Sequence, residues 1–170
     1  MTITKASSDS LNELFQIYLN AKEALDANHI FQWIDSYPTI SIIENDLKKG
    51  VLYALEIENE IVGAINLNEE QDKEYQTIDW LFDDTKVLVV HRLVVNPTHQ
   101  KKGYGKVLMD FAEDFAKNNN YSSIRLDTYS RNKSNIRFYQ NRNYFIRGNV
   151  YFSGREHPFH CMEKSISKAL

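Results

Sequence analysis

The stretch that most constrains this chain is Val94-Val95-Asn96-Pro97-Thr98-His99-Gln100-Lys101-Lys102-Gly103-Tyr104-Gly105-Lys106. A β-branched run stops at Asn96-Pro97, because proline cannot donate to a central ladder. A short polar segment with two glycines follows, and apolar residues then recur at helical spacing. The pattern predicts a strand, a tight loop and a helix N-terminus in immediate succession. The first turn of a helix has amides without intrahelical acceptors, and these favour an anion. Glycine lets the backbone approach a ligand closely. Lys101, Lys102 and Lys106 surround the loop with positive charge. A pyrophosphate-binding loop is the expectation.

Two nucleotide fingerprints fail here. A Walker loop needs Gly-Lys-Ser/Thr, and the chain has Gly105-Lys106-Val107. A dinucleotide fingerprint needs a third glycine, and its position is Leu108. What stands is Gln-x-x-Gly-x-Gly directly after a strand and Asn-Pro.

The remaining elements follow from periodicity. Residues 2–6 read as a short edge strand. Ser10 to Glu13 is a capping-box pattern that opens a helix to about residue 27. Residues 28–38 are irregular. Ser41 to Glu44 is a second capping-box pattern, and its helix stops at Gly50. Val51–Ile57 and Ile61–Leu67 predict a hairpin turning at Glu58-Asn59-Glu60. Residues 68–86 are acidic and irregular, but their bulky residues indicate packing. Val87–Val95 is apolar at nearly every position, as a strand buried on both faces would be. After the loop, Val107, Leu108, Phe111, Ala112, Phe115 and Ala116 form one helical stripe. A strand over Ser123–Tyr129, a helix over 132–142 and strands over Tyr144–Phe152 and Phe159–Ile166 close the chain. This order predicts an α+β fold, with residues 87–129 forming a parallel crossover.

Bulk numbers narrow the function. With 170 residues the chain suits one domain, residues 1–170. A net charge of -3 gives no basic footprint for nucleic acid. The single Cys161 excludes an intrachain disulfide framework, and no His/Cys/Asp/Glu cluster has metal spacing. There is no signal-peptide pattern at the N-terminus, and no apolar run approaches membrane-spanning length. A cytoplasmic protein without membrane partners is expected.

Val95-Asn96-Pro97 followed by Gln100-Lys101-Lys102-Gly103-Tyr104-Gly105 resembles motif A of the GCN5-related N-acetyltransferases (GNAT). Asn132 to Phe145 resembles their motif B, with the asparagine seven residues before Tyr139. The element order matches as well, so the resemblance covers nearly the whole chain. It implies a GNAT-like mixed, mostly antiparallel sheet with helices on both faces, and acetyl-CoA as co-substrate. It implies that backbone groups of Leu93 and Val95 pair with the pantetheine arm. The amides from Gln100 to Lys106 (Gln100, Lys101, Lys102, Gly103, Tyr104, Gly105 and Lys106) would hold the pyrophosphate. Asn132 would lie on the cofactor side and Tyr139 would protonate the leaving thiolate. One departure is Asn143, where the family has glycine before the aromatic; asparagine is the next-best residue for a left-handed turn.

Acyl transfer to an amine needs a neutral amine, a stabilised oxyanion and a protonated leaving group. Tyr139 is the acid candidate. An amide of Val94 or Val95 can polarise the thioester carbonyl if the strand is bulged there. His91 is the base candidate by residue type, with a hydrogen-bonded structural histidine as the alternative. Arg92 alternates to the other face, where pairing with a carboxylate is the favoured role. Trp33, Tyr37, Tyr75 and Trp80 are candidates to line an acceptor pocket, and Asp127 to anchor the acceptor; packing or ion pairing is the competing role of each. The expected activity is transfer of acetyl from acetyl-CoA to a small-molecule or peptide primary amine, in a ternary complex, by a monomer or homodimer. A non-catalytic acyl-CoA sensor and a phosphate-binding interaction domain are the alternatives.

Overall fold

The structure is a computed structural model and describes residues 1–82 and 86–166. Residues 83–85 of the expected loop lie outside the described residues. The elements in chain order are β1 (Thr2–Lys5), α1 (Leu11–Ala27), α2 (Ile40–Lys49), β2 (Leu52–Ile57), β3 (Glu60–Asn68), β4 (Val87–Val95), α3 (Tyr104–Asn118), β5 (Ser123–Tyr129), α4 (Lys133–Gln140), β6 (Phe145–Val150) and β7 (Phe159–Ser165). Short 3-10 turns cover Ser8–Ser10, Lys73–Thr77 and Pro97–His99. The strands order as β1-β2-β3-β4-β5-β7-β6 in one mixed, mostly antiparallel sheet.

The chain divides into two compact units, Met1–Leu67 with His91–Ala112, and Asn68–Val90 with Glu113–Leu170. In the first, β1, β2 and β3 pair antiparallel, and the β2–β3 hairpin turns on Glu58 and Asn59, both with positive φ. That conformation suits the twist of the flanking strands. Leu14, Ile17, Tyr18 and Ala21 of α1 and Ile43 and Leu47 of α2 join Ala54, Ala64 and Val94 in one buried cluster. On β3, Gly63 faces the opposite way from Ala64 by strand alternation. A Cβ at Gly63 would lie 2.7 Å from the Val94 carbonyl and 3.2 Å from Leu108 of α3. Glycine there lets β4 and α3 come close.

Both capping boxes are corrected. Ser10 precedes α1, but its side chain makes no cap bond. Its expected partner, the Glu13 carboxylate, accepts instead from the Ile61 amide at 3.2 Å. For α2 the cap is Thr39, two residues earlier than expected, and Glu44 pairs with Lys48. A local pattern offered one partner, and tertiary packing supplied others. Gly50 does close α2 in the left-handed conformation, with φ 65°.

In the second unit, β4 and β5 run parallel, with Val87 opposite Ser123 and Val89 opposite Arg125. β7 pairs antiparallel with both β5 and β6. Only the first half of β4 is buried throughout: Val87 to Val90 are buried, whereas His91, Arg92 and Leu93 are half-buried. The expectation of burial along the whole strand is corrected to that half. No described helix is long and apolar enough to cross a membrane.

Candidate active site

In the first unit, β4 ends where the Asn96 amide donates to the Val62 carbonyl at 2.8 Å. Pro97 opens the 3-10 turn, a position where its missing N–H costs nothing. The Gln100 amide donates back to Pro97 at 3.3 Å. Lys101 and Gly103 then take left-handed φ values of 63° and 85°. A Cβ at Gly103 would meet nothing within 4 Å, so the demand for glycine there is conformational. The first α-helical bond of α3 runs from the Val107 amide to the Gly103 carbonyl at 3.1 Å.

Between these points, the amides of Lys101, Lys102, Gly103, Tyr104, Gly105 and Lys106 donate to no acceptor among the described residues. Such a run at a helix start is an anion-binding arrangement. Lys101 and Lys102 are exposed beside it, whereas Lys106 pairs with Asp110 at 2.8 Å. That exposed pair is one turn apart on α3 and contributes little to stability.

Upstream on β4, Arg92 has a left-handed φ of 49°. Its side chain pairs with a carboxylate, as expected: the guanidinium meets Asp46 of α2 at 2.7 Å, and Tyr37 accepts from it at 2.9 Å. His91 is half-buried and engaged within the fold. Trp33 is buried and lies 5.6 Å from Tyr18, ring centre to ring centre. Of the two acceptor candidates of this unit, Trp33 lies in the core and Tyr37 on the Arg92 guanidinium.

In the second unit, Tyr139 ends the buried stripe of α4, next to Phe138 and Tyr144 at ring distances of 5.1 and 5.9 Å. Asn132 caps α4 by accepting from the Asn135 amide at 3.1 Å. Asn143 adopts the left-handed turn, with φ 64°. The Tyr139 ring is 5% exposed, yet its hydroxyl has no hydrogen-bond partner among the described residues. Burial first, and then the negative charge of Asp127, push this phenol above the usual tyrosine range, with Arg142 opposing.

Asp127, Tyr75 and Trp80 come together. The buried Tyr75 hydroxyl donates to Asp127 at 2.7 Å, and the Trp80 ring lies 5.3 Å from that of Tyr75. Trp80 also stacks on the Arg125 guanidinium at 4.3 Å, and its indole N–H donates to the Tyr75 carbonyl. Arg125 pairs with Glu163 at 3.0 Å and also donates to Gln71 and to the Phe82 carbonyl. Glu163 in turn accepts from the Leu81 amide at 2.9 Å. These bonds fasten the described part of the 68–82 loop to β5 and β7. No group of acidic, histidine or cysteine side chains among the described residues could hold a metal ion.

Asp46 and Glu163 were missed in the sequence, although each carried a signal. Asp46 falls on the same helical stripe as Ile43 and Leu47. Glu163 alternates onto the face of Phe159 and Cys161. An acid on an apolar face implies a buried cation partner. Tyr18 and Glu113 gave no such sign. Glu113 gathers Arg142, Tyr144 and Lys164 at 3.0, 3.4 and 2.7 Å.

Comparison with known proteins agrees with this geometry. An uncharacterised N-acetyltransferase of Oceanobacillus iheyensis is 37% identical over 76 residues, which is 44% of each chain. The chain therefore spans less than half the length of that relative in the match. A GNAT-family acetyltransferase structure from Streptococcus agalactiae superposes with a TM-score of 0.81 at 17% identity, over 98% of this chain and 96% of that one. The PaiA N-acetyltransferase of Thermoplasma acidophilum, in complex with coenzyme A, gives 0.71 at 18% identity, over 96% and 98%. At such identities the structures show a shared fold. The model of the Acetyltransferase (GNAT) family matches residues 11–144, most of the chain, and this protein belongs to that family.

Proposed function

We propose that residues 1–170 form one N-acetyltransferase domain, which moves an acetyl group from acetyl-CoA to a primary amine by direct attack. The observation that carries this reading is the run of amides from Lys101 to Lys106 without acceptors, at the start of α3. A diphosphate fits this donor set: six amides, a left-handed turn at Gly103, and two exposed lysines. Leu93 and Val95 would bind the pantetheine arm through backbone groups, as an added strand does, and Asn132 is retained on the cofactor side. When bound, acetyl-CoA supplies an activated acyl group on sulfur.

The chain's own groups would then do three things. A β4 amide at Val94 or Val95, downstream of the left-handed Arg92, donates to the carbonyl oxygen as it gains charge. Tyr139 donates its free hydroxyl to the departing sulfur. Its raised pKa keeps it protonated until the sulfur departs, and the phenolate left after that transfer is reprotonated from solvent. His91 is the β4 side chain suited by type to take the proton of the attacking amine. Trp33, Tyr37, Tyr75, Trp80 and Asp127 remain the candidates for shaping the acceptor side. For Asp127 the support is its carboxylate, which suits an ammonium group.

The test is incubation with acetyl-CoA and a panel of polyamines, amino acids, aminoglycosides and peptides, following free thiol and acetylated product. Thiol release with a stoichiometric acetylated amine is the expected result. Thermal stabilisation by CoA without turnover on any amine would favour a sensor. Absence of any CoA binding would remove the reading altogether.

A further inference from the structure

The middle of β4 holds a residue in a conformation that strands avoid. Arg92 has φ 49°, and a bulky residue keeps a left-handed torsion only where its surroundings over-determine it. Three separate segments do so here. Tyr18 of α1, 1% exposed, donates its hydroxyl to the Arg92 carbonyl at 2.9 Å. Asp46 of α2 receives the guanidinium through both oxygens, at 3.0 Å from Nε and at 2.8 and 2.7 Å from Nη2. Tyr37, in the segment between the two helices, accepts from Nη1 at 2.9 Å. Backbone and side chain of one strained residue are thus both held.

We infer that Tyr18, Asp46 and Tyr37 are positioning residues, a clamp on Arg92 that sets the direction of the β4 backbone at Leu93–Val95 during acetyl transfer; this rests on the function proposed above. The physical reason lies in the torsion. A left-handed residue breaks the two-residue alternation of a strand, so the amides that follow it take their direction from how firmly that torsion is kept. A buried ion pair is a poor device for stability alone, because desolvation offsets much of its attraction. A bidentate pair does, however, fix a guanidinium in position and orientation. The Tyr18 ring also packs against Trp33, 5.6 Å away between ring centres, and packing alone does not select the torsion. An amide misdirected by a fraction of an ångström loses much of its worth to a developing oxyanion.

The decisive variants are Tyr18→Phe, which removes one oxygen and keeps the ring, and Asp46→Asn, which keeps the shape and removes the charge. Amide hydrogen exchange is measured along the full chain, with the CoA dissociation constant, kcat and KM alongside. For Tyr18→Phe the expected result is exchange at Leu93–Asn96 rising roughly tenfold, with Thr2–Lys5 unchanged. It also includes kcat falling roughly tenfold while CoA affinity stays within about twofold. Asp46→Asn should act in the same direction. Exchange that is unchanged, or that rises equally across β1, β2 and β4, would overturn the clamp. A local rise in exchange with kcat unaltered would overturn its role in transfer. Should the wild-type protein bind no CoA, the proposed function falls, and the exchange pattern still decides the clamp.

Discussion

Around Arg125 the polar groups are matched. Its guanidinium meets Glu163, Gln71 and the Phe82 carbonyl, and Glu163 also takes the Leu81 amide. Along Lys101–Lys106 six successive amides meet nothing within the described residues. Both regions are rich in charge, and charge alone would not separate them in the sequence. The difference is saturation. A buried polar group that serves the fold must find partners, because leaving it alone is costly. A group that serves a ligand stays open at an exposed loop, where water tolerates it. Tyr139 is the intermediate case: buried like Arg125, yet with a hydroxyl that bonds to no described residue.

The contrast predicts a graded series of effects. Glu163→Ala leaves the Arg125 charge buried without its main partner and frees the Leu81 amide, so unfolding free energy should fall by about 3–5 kcal/mol in a denaturant titration. A loss under about 1 kcal/mol would show that this cluster is not the structural one. Tyr139→Phe removes a hydroxyl that supports nothing in the fold. Its stability should be retained while kcat drops about 10- to 100-fold with little change in KM for acetyl-CoA. Unchanged turnover would take Tyr139 out of the chemistry.

The pH dependence of that step follows from its surroundings. Burial and the Asp127 charge both favour the neutral phenol, so the Tyr139-dependent rate should survive above the usual tyrosine range. Asp127→Asn withdraws the negative charge, which lowers the phenol's pKa and moves the alkaline loss of rate to lower pH. A shift in the opposite direction would contradict the assignment of Asp127 as its neighbour.

Gly103→Ala should cost about 1–2 kcal/mol, because φ is 85° and no space is lacking. CoA affinity, by calorimetry, should fall with it. The smallest effect on the fold is expected from Lys101→Ala with Lys102→Ala, within about 0.5 kcal/mol of wild type. There the expected change is weaker CoA binding and a flatter dependence of that binding on salt. A stability loss in the lysine variants, with binding intact, would erase the distinction between the two regions.

Much of the fold was legible along the chain. Val87–Val95 matches β4 at both ends, Gly50 ends α2, and the Gln100–Lys106 loop leads into α3 as its spacing required. Those features are local: backbone torsion, proline's missing donor and apolar period act over a few residues. The two capping boxes show the limit of that reasoning, since Glu13 was drawn to Ile61, a partner 48 residues away.

By itself, then, the sequence determined the element order, the glycine loop and the motif B helix, because each depends on neighbours in the chain. The tertiary structure decided which polar groups were consumed. Arg92 met Asp46 across 46 residues and Arg125 met Glu163 across 38. It also decided the left-handed turn of Arg92, which no residue type announces, because only contacts from α1, α2 and the segment between them can hold an arginine there. Partnership in a folded chain is a property of three-dimensional proximity and desolvation, and neither is written in local spacing.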